Sequence, residues 1–182
     1  MKAKKKSIVV LASSAVLLCA AAALVLLTLL RPGASSPELA VQHYEEACML
    51  YDVNDTVRYS SDYNRYILYR SRTPESTGEL KRYLKEDVYK DIKSGYSESE
   101  IDIRFSESVR IEPGSEEFET LRAEYAAVAD ASDIGAFAEL KLTIYVDGER
   151  RVTRTDYAVQ VVLFQIKGKS GIRLAARFGT GP

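Results

Sequence analysis

Tyrosine and arginine are the side chains of this sequence whose types and spacing best suit a recognition surface. They are concentrated in one short stretch as Tyr59, Tyr63, Arg65, Tyr66, Tyr69, Arg70 and Arg72. Both types are enriched at binding hot spots, so one interpretation is a partner or ligand surface made by Tyr63, Tyr66, Tyr69 and Arg70. The alternative is that the rings pack a helix onto the domain with their hydroxyls at the rim. The packing interpretation is stronger for Tyr59, Tyr63 and Tyr66 than for Tyr69.

Two segments resemble ligand-binding loops but lack a residue that the chemistry requires. A phosphate-binding loop ending at Gly168-Lys169-Ser170 would need a glycine five positions earlier, where the chain has Leu163. Residues 52–56 offer alternating oxygen atoms, as a calcium loop does, but Val57 stands where that loop needs glycine. We therefore expect a hairpin turn at the first segment and helix capping at the second.

The titratable residues do not form a catalytic constellation in the sequence. His43 is the only histidine, and a zinc site or an activated nucleophile would need further His or Cys partners. Cys48 falls on the apolar side of a predicted helix and is expected to be a small buried hydrophobe. Adjacent acidic pairs such as Glu45-Glu46 point about 100° apart on a helix, so they do not converge on a substrate. We expect no catalytic residues, no metal and no cofactor.

An uncharged run from Ser7 to Leu30 follows a tail that contains four lysines. As a helix it would be roughly 36 Å long, enough to cross a hydrocarbon core of about 30 Å. Amino-terminal lysines stay in the cytoplasm, so the rest of the chain is expected on the outer side. The sequence thus predicts a cytoplasmic basic tail (1–6), a transmembrane signal-anchor helix (7–30) in the lipid bilayer, a linker (31–36) and an extracytoplasmic domain (37–182). Cleavage near Ala34, which would secrete the domain, is the alternative.

The predicted domain is mildly acidic. Four of the 25 basic residues precede residue 7 and all 26 acidic residues follow it, which leaves 21 basic residues and a net charge of −5 beyond the tail. Nucleic-acid recognition requires a basic stripe, so nucleic acid is not expected as a partner. Cys48 is the only cysteine after the anchor, and a domain without disulfides is more typical of a bacterial surface protein than of a small secreted eukaryotic one.

Capping residues and apolar spacing predict three helices before the first strand. Ser36 begins the first, Asp55 begins a second that ends near Arg70, and the capping box at residues 76–79 begins a third that Gly95 ends. The apolar stripe of the third helix is Leu80, Leu84, Val88 and Ile92.

The remaining sequence alternates with the period of a strand. A strand from Ile101, with a bulge near residues 106–108, is followed by a helix capped by Ser115 and then by three strands. Asp147-Gly148 is the preferred type of hairpin turn between the first two of these. The order predicts an α+β fold, in which three helices, a strand, a helix and a three-stranded antiparallel meander form a curved sheet packed on helices.

The element order resembles that of the nuclear-transport-factor-2-like and cystatin-like families. The resemblance is carried by the capped helix, acidic break and second helix from Ser36 to Asp62, and by the hairpins from Leu140 to Phe178. It implies a membrane-anchored domain of the kind found in Gram-positive bacteria. From the predicted anchor and the lack of a catalytic constellation, we expect a binding or scaffold module without catalytic activity. Two alternatives share the fold class: a structural subunit of a cell-envelope or conjugation-type secretion assembly, and a small pocket-bearing enzyme. The expected partner is an envelope protein or a second copy of the chain.

Overall fold

The computed structural model describes residues 33–92, 95–148, 151–166 and 169–174. The predicted tail and anchor lie outside the described residues. The helices are α1 (Pro37–Leu50), α2 (Val53–Tyr59), α3 (Asp62–Leu68), α4 (Thr77–Tyr83) and α5 (Glu116–Ala126), and the strands are β1 (Ile101–Ile111), β2 (Ile134–Gly148), β3 (Arg151–Ile166) and β4 (Lys169–Leu174). A turn of π-helix over Leu84–Val88 continues α4, and a short 3₁₀ turn over Glu98–Glu100 leads into β1.

The described strands form one antiparallel sheet in the order β1-β2-β3-β4, and α1 contacts this sheet. The predicted α+β class and the antiparallel pairing are confirmed. The first strand forms the edge of this sheet, since β1 pairs with β2 along its length although α5 lies between them in the chain.

A serine side chain caps the first helix, as the sequence predicts. The Ser36 hydroxyl accepts a hydrogen bond from the Leu39 amide at 3.2 Å, Pro37 occupies the first turn, and Tyr51 ends α1 in the left-handed conformation with φ of 57°. The cap of α2 is Asp52, which accepts from the Asn54 amide at 2.8 Å, so the predicted cap at Asp55 is wrong.

The predicted second helix is two helices, separated by extended backbone at Ser60 and Ser61. The Ser60 hydroxyl donates to the Thr56 carbonyl at 2.6 Å, and the side-chain Nδ2 of Asn64 donates to Ser60 Oγ at 3.2 Å. The Ser61 hydroxyl then caps α3 by accepting from the Asn64 backbone amide at 3.0 Å. These buried polar groups are therefore satisfied at the break, which places Tyr59 and Tyr63 on different helices.

The predicted third helix is shorter than its apolar stripe. Leu80 and Leu84 are buried, but Val88 and Ile92 are 42% and 41% exposed. A π turn adds a residue to the helical turn, which shifts the later positions out of the buried stripe. The helix ends at Val88, so the predicted stop at Gly95 is wrong; Gly95 instead lies against α1, where an added Cβ would meet the Met49 carbonyl oxygen at 2.7 Å.

Two buried clusters lie on opposite faces of the sheet. Alternating residues of β2 such as Leu140 and Leu142 pack with Val41 and Tyr44 of α1. Phe137, one position out of phase, packs on the other face against Phe118 of α5, with ring centroids 5.5 Å apart. The sheet is thus filled by side chains on both faces at this end.

A bulge in β1 allows one strand to serve both clusters. The register with β2 shifts between Phe105 and Glu107, which confirms the bulge predicted there. Before the shift Phe105 packs toward α1, and after it Ile111 pairs with Phe137 and packs with α5. The extra residue reverses the inward side of the strand.

The hairpin between β2 and β3 does not turn at its predicted dipeptide. Asp147 pairs with Val152 and Gly148 with Arg151, so both predicted turn residues belong to the ladder. Lys169 and Ser170 likewise pair with Ile166 and Gln165 at the start of β4, although the hairpin turn was predicted at Gly168-Lys169-Ser170. A longer ladder gains additional backbone hydrogen bonds between the strands, and local turn propensity does not take these bonds into account.

Candidate functional site

The loop between α3 and α4 has a strained backbone. Arg70 and Ser71 both adopt the left-handed conformation, each with φ of 55°. For residues with a Cβ this conformation costs on the order of 1–2 kcal/mol per residue. Such strain is concentrated where a structure holds side chains in fixed positions. The loop carries Arg70 and Arg72, two of the arginines that the sequence singles out.

Four side chains form what we call the aromatic–arginine cluster: Arg70 and Arg72 of the loop, Tyr69 at the end of α3 and Tyr83 at the end of α4. The two tyrosine rings meet edge to face, with centroids 5.0 Å apart and planes at 86°. The guanidinium carbon of Arg72 lies 4.9 Å from the Tyr69 centroid, and that of Arg70 lies 5.6 Å from the Tyr83 centroid. Both distances are within the range of cation–π attraction.

Glu79 of α4 holds Tyr69 in place. The Tyr69 hydroxyl donates to Glu79 Oε1 at 2.7 Å, and the Glu75 backbone amide donates to Glu79 Oε2 at 2.6 Å. The hydrogen bond from Tyr69, followed by that from Glu75, holds the pKa of Glu79 below its ordinary value. The same bond to Glu79 raises the pKa of the Tyr69 phenol. The predicted capping box is half formed, because Ser76 caps α4 while Glu79 binds Glu75.

Replacing Tyr69 with phenylalanine is expected to raise the pKa of Glu79 part of the way to its ordinary value. The lost hydrogen bond stabilised the carboxylate, so the Tyr69 contribution to stability is present above the ordinary pKa of glutamate and disappears as pH falls through the folded pKa. Carboxyl-carbon NMR titration of the full chain measures this directly, with Tyr66→Phe as the control that leaves Glu79 unchanged. A pKa of Glu79 that is the same in the Tyr69→Phe variant would contradict the hydrogen bond.

The structure divides the predicted surface between two places. Tyr63 of α3 stacks on the buried Tyr125 of α5 with centroids 5.8 Å apart, and it packs against the cluster around Phe137. Burial, followed by the charge of Glu124, raises the pKa of Tyr63. Tyr66 is half-buried on the same helix, whereas Tyr69 and Arg70 belong to the aromatic–arginine cluster.

Tyr83 and Glu79 take part in the site, although sequence analysis assigned Tyr83 no role and placed Glu79 only in a helix-capping box. They lie four residues apart and so share one face of α4, but that spacing equally describes an ordinary exposed helix face. Their role depends on the loop that brings Tyr69 onto α4, which is a tertiary contact.

A cleft of about 600 Å³ is lined in part by the same loop. Its lining residues are Asp62, Arg65, Thr73, Pro74, Ser76, Thr77, Leu80, Ala126, Val128, Ala129 and Asp130. Arg65 is mostly buried, with Nη1 2.8 Å from Asp62 Oδ1 and Nη2 donating to the Val57 carbonyl at 3.0 Å. The ion pair largely neutralises the Arg65 charge, so the cleft offers hydroxyls and exposed carboxylates beside an apolar wall. These groups suit binding of a small polar molecule; a nucleophile activated by a neighbouring base is not among the lining residues.

The environment of Cys48 suppresses ionisation of its thiol. Burial, followed by the nearby charge of Glu45, raises its pKa to about 11. Compared with an ordinary value of 9.0, this leaves a thiolate population about 100-fold smaller at neutral pH. Cys48 is partly buried and packs against the cluster beneath α1, so the prediction of a small buried hydrophobe is met only in part.

Alkylation of Cys48 by iodoacetamide is accordingly expected to be slower by about 100-fold in the folded protein than in urea, because the thiolate is the nucleophile. The measurement is mass spectrometry of the full chain in a Cys19→Ala background. Equal rates in the folded and unfolded protein would contradict the burial of Cys48.

Comparison with known proteins assigns no family to the chain: no protein-family model, curated protein or solved structure matches it. Across the described ranges, no helix is both long and apolar enough to cross a membrane. Within the same ranges, no three His, Cys, Asp or Glu side chains are grouped as metal ligands would be.

Proposed function

We propose that this protein is a membrane-tethered extracytoplasmic binding module that engages a partner through the aromatic–arginine cluster and does not catalyse a reaction. The tether is the uncharged run of residues 7–30 that follows the lysine-rich tail. The single observation that supports binding is the cluster itself, in which aromatic rings and guanidinium groups are held together at the surface.

The packing beneath α1 supports a surface site over an interior one. Tyr44 and Val41 of α1 fill the sheet face together with side chains of β2 and β3. The buried polar residues of the described chain are Thr56, Ser60, Ser61, Asn64 and Gln160, which include no carboxylate. A pocket-bearing enzyme of this fold class would use an open interior with a buried acid, so these contacts favour the binding module.

The proposal includes the finer features implied by the family resemblance: a curved sheet and a tethered domain of the nuclear-transport-factor-2-like or cystatin-like kind. It also includes an envelope protein, or a second copy of the chain, as the partner. The segregation of the helices from an antiparallel sheet supports this architecture at the level of class.

Site-specific photocrosslinking in cells tests the proposal. A photoreactive phenylalanine analogue at Tyr66, next to the cluster on α3, is expected to give a covalent adduct with a neighbouring protein. The same analogue at the exposed Tyr96 is the matched control and is expected to give none. No adduct at Tyr66 would contradict the proposed surface.

The size of the adduct separates the proposed module from an assembly subunit. A single binary adduct supports a module that recruits one partner. A ladder of self-adducts from both Tyr66 and Tyr96 would favour a structural subunit of an envelope assembly, because such a subunit is surrounded by neighbours on several faces.

A further inference from the structure

We infer that the aromatic–arginine cluster recognises a carboxylate-bearing peptide segment of its partner, with Arg70 and Arg72 as the two groups that bind the carboxylates. The inference rests on the proposed function for the existence of a partner and adds its chemistry. It follows from how the two guanidinium groups are held and from which of their donors are occupied.

Both guanidinium groups are positioned without a close ion pair to any carboxylate in the described part of the chain. Within the part of the chain that the structure describes, four arginines lie over tyrosine rings: Arg58, Arg70, Arg72 and Arg104. Arg58 also approaches Asp55 at 3.9 Å, and Arg104 pairs with Asp102 at 2.7 Å. In contrast, neither Arg70 nor Arg72 has a carboxylate of the described residues within 4.0 Å. Stacking uses the face of a guanidinium and leaves its N–H donors available at the edge.

Glu79 attracts Arg72 without forming a close ion pair with it. After the hydrogen bonds from Tyr69 and Glu75, the charges of Arg82 and Arg72 also lower the pKa of Glu79. Both carboxylate oxygens of Glu79 already accept hydrogen bonds, one from Tyr69 and one from the Glu75 amide. The strained backbone at Arg70 and Ser71 further limits the positions that the loop can adopt. A guanidinium fixed in this way loses less conformational entropy when it binds a planar carboxylate in a bidentate manner.

The charge of the surrounding domain favours a local carboxylate pair over a long anionic polymer. The chain beyond the tail carries a net charge of −5, which repels a polyanion along its length. A short acidic peptide would contact the two arginines and little of the remaining acidic surface. The Tyr69 and Tyr83 rings add an amphipathic surface against which a peptide backbone can pack.

Fluorescence anisotropy with the full chain in a non-ionic detergent tests the inference. The probe is a labelled glutamate-rich peptide, and its glutamine counterpart is the uncharged reference. We expect Arg70→Gln combined with Arg72→Gln to weaken binding of the glutamate peptide by at least about tenfold, and Arg72→Lys to weaken it several-fold because lysine cannot bind in a bidentate manner. Arg58→Gln, which removes a stacked but carboxylate-paired arginine, is expected to change affinity by less than about twofold.

The outcomes separate this inference from the proposed function. Equal binding of the glutamate and glutamine peptides, or equal loss in the Arg58 variant, would overturn the inference. So would tighter, Arg70- and Arg72-dependent binding of polyphosphate, which would identify a polyanion in place of a peptide. If the peptide does not bind while crosslinking at Tyr66 in cells persists, only the carboxylate chemistry fails. Far-UV circular dichroism of each variant verifies that the fold is retained.

Discussion

Replacing Phe137 with alanine is expected to lower the free energy of unfolding by about 4 kcal/mol. Phe137 is fully buried at the centre of the cluster between β2 and α5, where it meets Phe118 edge to face. The substitution removes the aromatic contact and leaves a cavity that Val162 and Leu121 cannot fill without moving backbone.

Urea denaturation of the full chain in detergent, followed by far-UV circular dichroism, measures this loss. Val152→Ala is the matched control on the same sheet, since Val152 is 62% exposed and its truncation is expected to change stability by no more than about 0.5 kcal/mol. Equal midpoints for the two variants would mean that Phe137 is not part of a packed core.

Replacing Gly95 with alanine is expected to destabilise the fold by about 2 kcal/mol. A Cβ at this position would lie 2.7 Å from the Met49 carbonyl oxygen and 2.9 Å from Tyr51 Cδ2. Met49 is in the last turn of α1 and cannot withdraw its carbonyl without disturbing the end of that helix. The segment that follows α4 is therefore expected to separate from α1.

Gly78→Ala is the control for this second variant. Gly78 lies within α4, and an added Cβ there would meet only Ser76 Oγ, at 3.7 Å. Alanine is the better helix former, so this variant is expected to gain about 0.5 kcal/mol. The same denaturation measurement compares the two, and a stabilised Gly95→Ala variant would contradict the close approach to α1.

Local signals in the sequence predicted the parts of the fold that depend on local chemistry. Ser36, Ser76 and Ser115 cap their helices because a hydroxyl can satisfy an amide a few residues later in any tertiary context. The bulge in β1 was predicted from the polar stretch at residues 106–108, which interrupts the alternation. The change of face was not predictable, because Phe105 and Val109 keep the same two-residue period in the sequence.

Features that depend on contacts between distant residues were mispredicted. The apolar face through Tyr59 and Tyr63 indicated one helix, but Tyr59 stacks on His43 of α1 and Tyr63 on Tyr125 of α5. The break at Ser60 and Ser61 lets each ring reach its own partner. Helical periodicity does not show that two residues on one apolar face contact different helices. It therefore could not predict the break between α2 and α3.

The candidate site was predictable only in part for the same reason. The density of Tyr and Arg near residue 69 indicated a surface, and Tyr69 and Arg70 do belong to one cluster. For Tyr63 the sequence favoured the packing interpretation over the surface one, and Tyr63 does pack inward against Tyr125. The left-handed backbone at Arg70 and Ser71 determines which side chains lie in the cluster. Arg and Ser rarely adopt this conformation, so their presence in a sequence does not predict it.

Protease treatment of intact cells carrying a tag at the carboxyl terminus tests the central proposal most directly. A tethered extracytoplasmic module predicts that the protein sediments with membranes and that externally added protease removes the tag while a cytoplasmic marker survives. Recovery of the intact polypeptide as a soluble, protease-protected species in the cytosol would contradict the account.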